Sequence, residues 1–545
     1  MDRLFRLALL ILIINSFLFA GDQPANTAQA AAFTSSNLPV VVITTEKGQG
    51  IPDEPKITAR LGIIYNGEGR RNNLSDPYNY YDGVIGIEVR GNASQYLFDK
   101  KPWTFETRDE NGDNLNVELL EMPKENDWIL NAAYIDKTFI RDPLAYHMSR
   151  IMGRWASRTM HCEVVLNGVY QGLYILMESI KPDKNRLNIA KMDSTDINGE
   201  NVTGGYIYEV AQGEETFGER RCFKYPKAQD IRPEQVAYIK KYDDDFRRVM
   251  RRSDYNDPVK GYPAWIDVDS FIDEILVQEA CRNSDAYGWS SHFYKDRSGK
   301  LCAGPAWDFD QALSNSTFNN GWETTHWIIE NNYPEFLWDH PEFWKKLFND
   351  YEFKCRLAGR WFALRRGPWQ TSELLQYVDS LATVLNEAQQ RNFEKWPILG
   401  VEIWRSTPGV EERNTYKKEV DYMKTWFVQR LTWMDEQLEE FDTAVYDKEP
   451  LRLTSDYALA VYPNPFRSHT TLSYTLPASA VCRVGVYNVL GQEIFTSAEQ
   501  QLPAGPRRVI WNGYDKLNRP VASGIYFYVL FVDNLIAARY KMLKF

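Results

Sequence analysis

Hydrophobic and polar positions follow different periods along the chain, and the changes of period mark its organisation. Between about 38 and 210 the apolar runs are short and alternate. Segments 40–44, 84–89, 103–107, 162–166 and 174–178 read as strands, separated by turn signals such as Arg90-Gly91-Asn92, Asn111-Gly112 and Asn167-Gly168. One helix interrupts them at 137–152, where Phe139, Leu144, Met148 and Ile151 recur at helical spacing. From about 232 to 438 the helical period dominates. The spacing predicts helices over 268–281, with Phe271, Ile275 and Val277 toward one face, and over 372–391 and 417–438, neither broken by Gly or Pro. Inside this region, 292–303 returns to alternation and reads as a hairpin turning at Ser298-Gly299. After a linker-like stretch at 441–455, alternation resumes in runs at 470–476, 482–488, 508–511 and 526–531, the pattern of a small β-sandwich. The fold class is therefore α+β with an all-β tail.

The N-terminus has a separate character. Arg3 and Arg6 precede an apolar run over 7–20, the signature of a secretory signal peptide. Cleavage after Ala20, or after Ala30 in Ala28-Gln29-Ala30, is expected, so residues 1–30 are assigned as leader. No other run is long and apolar enough for a transmembrane helix, and no integral membrane span is expected in the mature chain.

Composition removes several classes of function. The chain has 545 residues and a net charge of -11, which argues against a nucleic-acid partner. Six Cys are too sparse for a disulfide scaffold and none forms a CxxC pair. Six His without HExxH spacing give no support to zinc or Ser-His-Asp chemistry. Aromatic residues reach 14%, enough for large cores or for rings displayed to a ligand.

Candidate chemistry is concentrated between 283 and 315. Asp285 follows the 268–281 helix, and Trp307-Asp308-Phe309-Asp310 follows the hairpin. A hairpin returns its ends to one place, so Asp285 and Asp308 should lie close together. Neighbouring carboxylates repel and call for a cation or a shared proton. Loop aspartates suit Mg²⁺, and phosphoryl transfer needs one carboxylate for the hydroxyl proton and another for metal. As plain structure, Asp308 and Asp310 would be turn and N-cap residues.

These residues, with Trp265 to Ser284, Ser290-Ser-His-Phe-Tyr294 and Gly304-Pro305, resemble the CotH family of atypical, secreted, kinase-like proteins. Upstream, Arg90-Gly-Asn-Ala-Ser94, Lys100-Lys101-Pro-Trp103, Leu130-Asn131-Ala132, Arg141-Asp142, Asn167-Gly-Val-Tyr170 and Glu178 agree in order, and the resemblance spans about 38–445. It implies a reduced two-lobed protein-kinase-like fold, with a β-rich N-lobe at 31–215 and a helical C-lobe at 216–445, binding ATP with Mg²⁺ or Mn²⁺. Asp285 would then be the catalytic base and Asp308 the metal-binding Asp, with Asp310 a further ligand. Ser290 stands where a kinase catalytic loop carries its metal-binding Asn. Lys101 is preferred over Lys100 as the phosphate-binding lysine, because it shares a strand face with Trp103 and Phe105 that is expected to face the inter-lobe cleft. Glu178 would pair with Lys101, and the backbone from Arg90 through Ser94 would cover the phosphates.

After a linker at 446–456, residues 457–545 resemble a type A sorting domain of the type IX secretion system, through Tyr462-Pro-Asn-Pro-Phe466, Val486-Tyr-Asn-Val-Leu-Gly491, Trp511 and Ser523-Gly-Ile-Tyr526. That implies export to the surface or exterior of a Gram-negative cell by that machinery. Taken together, the resemblances imply a secreted kinase acting on a secreted or surface protein. A catalytically silent surface protein binding a glycan or protein partner is the alternative reading, and a glycosidase using Asp285 and Asp308 is a third.

Overall fold

The computed structural model describes residues 33–545 other than 92, 212–216, 218–219, 332–341, 443–459, 477, 489–492, 517–518 and 533–534. The expected leader (1–30) and linker (446–456) lie outside the described residues. The chain divides into two compact units, one ending at Glu439 and one beginning at Glu440.

The first unit opens with a closed seven-stranded barrel. Its strands are β1 (Val40–Thr45), β2 (Ile57–Ile64), β3 (Tyr81–Val89), β4 (Trp103–Arg108), β5 (Asp127–Asn131), β6 (Thr159–Leu166) and β7 (Val169–Glu178). They pair in the order β6-β7-β5-β4-β3-β2-β1, and β1 closes on β6 in parallel, with Val40 opposite Glu163. Alternate residues fill the interior: Val41 and Ile43, Leu61 and Ile63, Ile85 and Ile87, Trp103 and Phe105, Trp128 and Leu130, Cys162 and Val164, Tyr174 and Leu176. This is the period-2 pattern of strands with one face on a core. β1 is apolar on both faces, because Val40 and Val42 join a second small cluster with Ile64 and Val165 outside the barrel. Its unbroken run of apolar residues follows from that double burial.

Helix α1 (Arg141–Ile151) follows β5. A second sheet is built from β8 (Tyr206–Val210), β9 (Arg221–Tyr225), β10 (Ser291–Lys295) and β11 (Leu301–Ala303), in the order β9-β8-β10-β11. The expected hairpin is its β10–β11 half, and the sheet joins strands from both sides of the expected 215/216 lobe boundary. The helical region contains α2 (Pro233–Met250), α3 (Val268–Cys281), α4 (Glu342–Phe348), α5 (Tyr351–Arg366), α6 (Thr371–Leu385), α7 (Ala388–Lys395) and α8 (Tyr416–Asp442). The single helix expected over 372–391 is two helices, interrupted at Asn386 and Glu387.

That break directs α7 onto the barrel. Arg391 pairs with the buried Glu163 of β6. Asn392 Oδ1 accepts from Leu173 N at 3.1 Å and from Lys100 Nζ at 3.0 Å, and Trp396 Nε1 donates to Gln171 O at 2.9 Å. Gly172 lies at the centre of this contact with φ of +113°. A Cβ there would sit 2.7 Å from Asn392 Oδ1 and 3.1 Å from Trp396 Nε1. Gly172→Ala combines left-handed strain with overpacking and is expected to cost about 2–4 kcal/mol. Equilibrium denaturation of the full chain checks this, and a loss below about 0.5 kcal/mol would contradict it.

The second unit consists of two antiparallel sheets. One contains Ala460–Tyr462, Thr470–Leu476 and Gly505–Trp511; the other contains Glu493–Thr496, Ala480–Asn488, Gly524–Val532 and Leu535–Lys544, with Gln500–Leu502 also paired to Ala480–Asn488. Leu472, Tyr474 and Trp511 from the first meet Val484, Val486, Tyr528 and Leu530 from the second in one core. The architecture is thus α+β, with a barrel-containing β-rich region, a helical region and terminal β sheets. Cys162, Cys281, Cys302 and Cys355 carry free thiols. Among the described residues, no helix is long and apolar enough to cross a membrane.

Candidate active site

The Asp285 loop is created by the way α3 ends. Asp267 caps its start by accepting from Ser270 N at 2.7 Å. At its end Arg282 adopts a left-handed φ of 44°, turning the chain out of the helix. The Arg282 side chain is buried and donates to Asn320 O at 3.2 Å and to His326 O. Glu279, one turn earlier, is buried against Arg430 at 3.0 Å and accepts from Tyr287 OH at 3.1 Å. The loop from Asn283 to Ser290 therefore rests on a hydrogen-bonded base rather than on solvent.

The β10–β11 hairpin then returns the chain to the same place. Asn283 Nδ2 donates to Asp308 O at 3.0 Å, Ser290 Oγ donates to Asp308 Oδ2 at 2.9 Å, and Gln311 Nε2 donates to Asp285 Oδ2 at 2.6 Å. Ser290 and Asp308 both have positive φ, 50° and 65°. Such conformations cost about 1–3 kcal/mol each and persist only where surrounding contacts over-determine them.

The start of α1 supplies those contacts. Asp142 Oδ1 accepts from Phe309 N at 2.7 Å, its Oδ2 accepts from Asn131 Nδ2 at 2.9 Å, and Tyr146 OH accepts from Asp308 N at 3.2 Å. Arg141, paired with Asp136 at 2.5 Å, donates to Ala312 O at 3.1 Å and Leu313 O at 3.2 Å. In the sequence Arg141 and Asp142 stand out only as matching motif positions, and nothing local singles out Gln311. The partners are more than 150 residues apart for Asp142 and Phe309, so no local pattern announces them.

Burial raises four aspartates here, and the charge of Asp308 adds to the effect on the other three. Burial, then the charge of Asp308, pushes Asp142 up to about 7. Burial also pushes Asp285 up to about 7, opposed by the Arg405 guanidinium and reinforced by Asp308. Asp310 is held well above the carboxylate range by burial and by the charges of Asp308, Asp142 and Asp285. Asp308 is raised by burial, against the Ser290 hydrogen bond and the charge of Arg90. The sequence-predicted Asp285, Asp308, Asp310 and Ser290 are thus brought together. Among the described residues, no three His, Cys, Asp or Glu side chains converge to hold a metal ion by themselves.

A cleft of about 840 Å³ adjoins the Asp308 loop, lined by Glu88, Arg90, Thr104 and Glu106 from the barrel and by Lys224, His292 and Trp307 from the other side. The Arg90 guanidinium lies over the Trp307 ring, 5.7 Å from its centroid. His292 Nδ1 bonds Ser290 O at 3.0 Å, and its Nε2 lies 3.3 Å from Glu209, which pairs with Lys224 at 2.7 Å.

The other expected residues lie differently. Trp103 and Phe105 point into the barrel core, and it is Thr104 and Glu106 that face the cleft. The face argued for Lys101 is therefore the interior one, and Lys101 itself precedes the strand. Its ammonium turns to the carbonyls of Gln95 (2.7 Å) and Phe98, closing the short helix Ala93–Leu97. Ser94 in that helix packs against Gly91. Lys100 is buried, and burial holds it well below the usual lysine range. Glu178 pairs with Arg158 at 2.9 Å, with Arg186 3.7 Å away, so the expected Lys101–Glu178 pair does not form. The arginines win because Glu178 ends β7 beside the segments that carry them, with Arg158 N also donating to it at 3.0 Å.

The chain belongs to the CotH kinase protein family, whose model matches residues 87–434. A second family, the secretion system C-terminal sorting domain, matches residues 460–534. Family membership suggests a kinase-like phosphotransferase, for which ATP is the implied nucleotide, and the sorting domain marks the chain for secretion by the type IX machinery. No curated protein matches the sequence. Among solved structures, dimeric latent PorU from Porphyromonas gingivalis is 18% identical over 16% of this chain and 9% of that one, with a TM-score of 0.15. The DNA-bound alkylpurine DNA glycosylase AlkC from Pseudomonas fluorescens is 15% identical over 37% of this chain and 64% of that one, with a TM-score of 0.14. Neither likeness bears on fold or function.

Proposed function

We propose that the chain is a secreted protein kinase of two-lobed, kinase-like design that transfers the γ-phosphoryl of ATP to a protein hydroxyl. The observation that carries this reading is the joining of Asp285, Ser290, Asp308 and Asp310 around one loop, with Trp307, the residue before Asp308, lining the 840 Å³ cleft. Asp285 accepts the proton of the attacking hydroxyl, a role suited to a carboxyl tuned to about 7. Asp308, Asp310 and the Ser290 hydroxyl offer hard oxygen donors, and the two carboxylates repel one another when both ionise, a set that fits Mg²⁺ or Mn²⁺. Such ions use one or two carboxylates with phosphate oxygens and waters rather than a cage made wholly of protein. When bound, the ion neutralises charge on the transferred phosphoryl group. Arg90 faces the phosphates with its guanidinium, and Trp307 orients it by stacking.

Labelled ATP with MgCl₂ or MnCl₂ is expected to label protein in the presence of the full chain. Metal-dependent transfer that survives both Asp285→Asn and Asp308→Asn sinks the reading. Arg90→Ala is expected to raise KM for ATP about tenfold, the loss of one charge-assisted contact. Lys101→Ala, at a helix end, is expected to raise it less than threefold. The reverse order in steady-state kinetics would return the phosphate role to Lys101, with Glu178 as its distant support.

A further inference from the structure

The candidate base is gripped from one side by residues far away in sequence. Gln311 Nε2 donates to Asp285 Oδ2 at 2.6 Å. The Gln311 Oε1 accepts from Arg405 Nη1 at 2.6 Å and from Ser316 Oγ at 3.2 Å. Two donors on that oxygen fix the amide's orientation, so its NH₂ has to face the carboxylate. Arg405 is itself fixed. Its guanidinium lies between the rings of Phe318 and Trp404, 4.0 and 4.1 Å from their centroids, and its carbonyl accepts from Thr317 N at 3.0 Å. Arg405 Nη1 stands 3.8 Å from Asp285 Oδ1, close enough to act through charge and too far for a hydrogen bond. Among the described residues, Oδ1 receives no hydrogen bond, while Oδ2 is occupied.

We propose that Gln311 and Arg405 are positioning residues that set the rotation of the Asp285 carboxylate and make Oδ1 the proton-accepting atom. The proposal rests on the reading of Asp285 as the base. In the step it describes, the acceptor hydroxyl gives its proton to Asp285 Oδ1. The hydroxyl oxygen bonds to the γ-phosphorus, and the bond from that phosphorus to the β–γ bridging oxygen breaks, leaving ADP. Gln311 and Arg405 touch neither substrate; they act through Asp285, and Arg405 acts partly through Gln311.

The test uses the full chain with γ-labelled ATP and MgCl₂, reading label on protein and released phosphate. Gln311→Met and Arg405→Met are each expected to lower kcat about ten- to hundredfold, with KM for ATP within threefold of the parent. The double variant should be no more than threefold worse than the poorer single, because the two residues act in series. Arg405→Lys should recover at least a third of the parental kcat. Losses confined to KM, losses that multiply in the double variant, or no recovery in Arg405→Lys would overturn the proposal. If Arg405→Met fails to fold, Gln311→Met and Arg405→Lys carry the same comparison. An active Asp285→Asn overturns both the base assignment and this proposal. An inactive Asp285→Asn beside a fully active Gln311→Met overturns this proposal alone.

Discussion

Asp308→Asn is expected to lower phosphoryl transfer by at least about a thousandfold while leaving the chain as stable as the parent or more stable. The activity loss follows from removing charge at the point where the transferred group's charge develops. The stability gain follows from the repulsion described above, in which Asp308 raises Asp142, Asp285 and Asp310. The sign with pH is definite. A carboxyl raised in the folded state weighs against folding only once it would otherwise ionise. The variant's advantage should be absent near pH 4, where ordinary carboxyls protonate, and should grow as the pH rises from there toward about 7, the value reached by Asp142 and Asp285. Melting temperatures of parent and variant measured across that range, beside transfer assays, check both halves. A variant that retains a tenth of the activity, or one destabilised most at high pH, contradicts the picture.

Lys100→Met should have the largest effect on stability. Lys100 Nζ donates to Ala132 O at 2.8 Å, Leu173 O at 2.5 Å and Asn392 Oδ1 at 3.0 Å, and lies 4.8 and 4.7 Å from the rings of Phe139 and Tyr174. Burial pulls its pKa down, while three accepting oxygens match the three hydrogens of an ammonium. Methionine matches the stem but strands those oxygens, at about 1–3 kcal/mol each where no other donor reaches them. A loss of about 3–5 kcal/mol is expected in denaturant unfolding. Lys101→Met, which frees only carbonyls at the end of a five-residue helix, should cost less than about 1 kcal/mol. Equal losses at the two neighbouring lysines would show that the buried contacts are not the cause.

These lysines also illustrate what can be read from a sequence. Period alone located α3, the β10–β11 hairpin and the strand Thr470–Leu476, because each has a strong local pattern bounded by turn or cap residues. It passed over Ile57–Ile64 and Asp127–Asn131, where polar residues occupy the outer face and shorten the apolar signal. It joined α6 to α7, because no Gly or Pro marks Asn386; the break serves the contacts of Arg391 and Asn392 with the barrel. At the site, Asp285 and Asp308 were legible because a hairpin brings its two ends together. Asp142, Gln311 and Arg405 were not, because only tertiary packing brings them there. Alternation sets Lys101 in register with a real strand face, and that face is the barrel interior rather than the cleft. Much of the aromatic surplus is likewise interior, as Trp128, Trp344, Trp361, Trp369 and Trp511 are all fully buried.

The seam between α7 and the barrel has a kinetic consequence. Arg391 with Glu163 and Lys100 with Asn392 tie the β-rich and helical regions together across a buried contact. Rocking the regions apart there would pull Arg391 away from the fully buried Glu163 and break the Lys100–Asn392 contact, so the seam favours the closed arrangement. On the proposed reading, a nucleotide would have to enter the cleft without this seam parting.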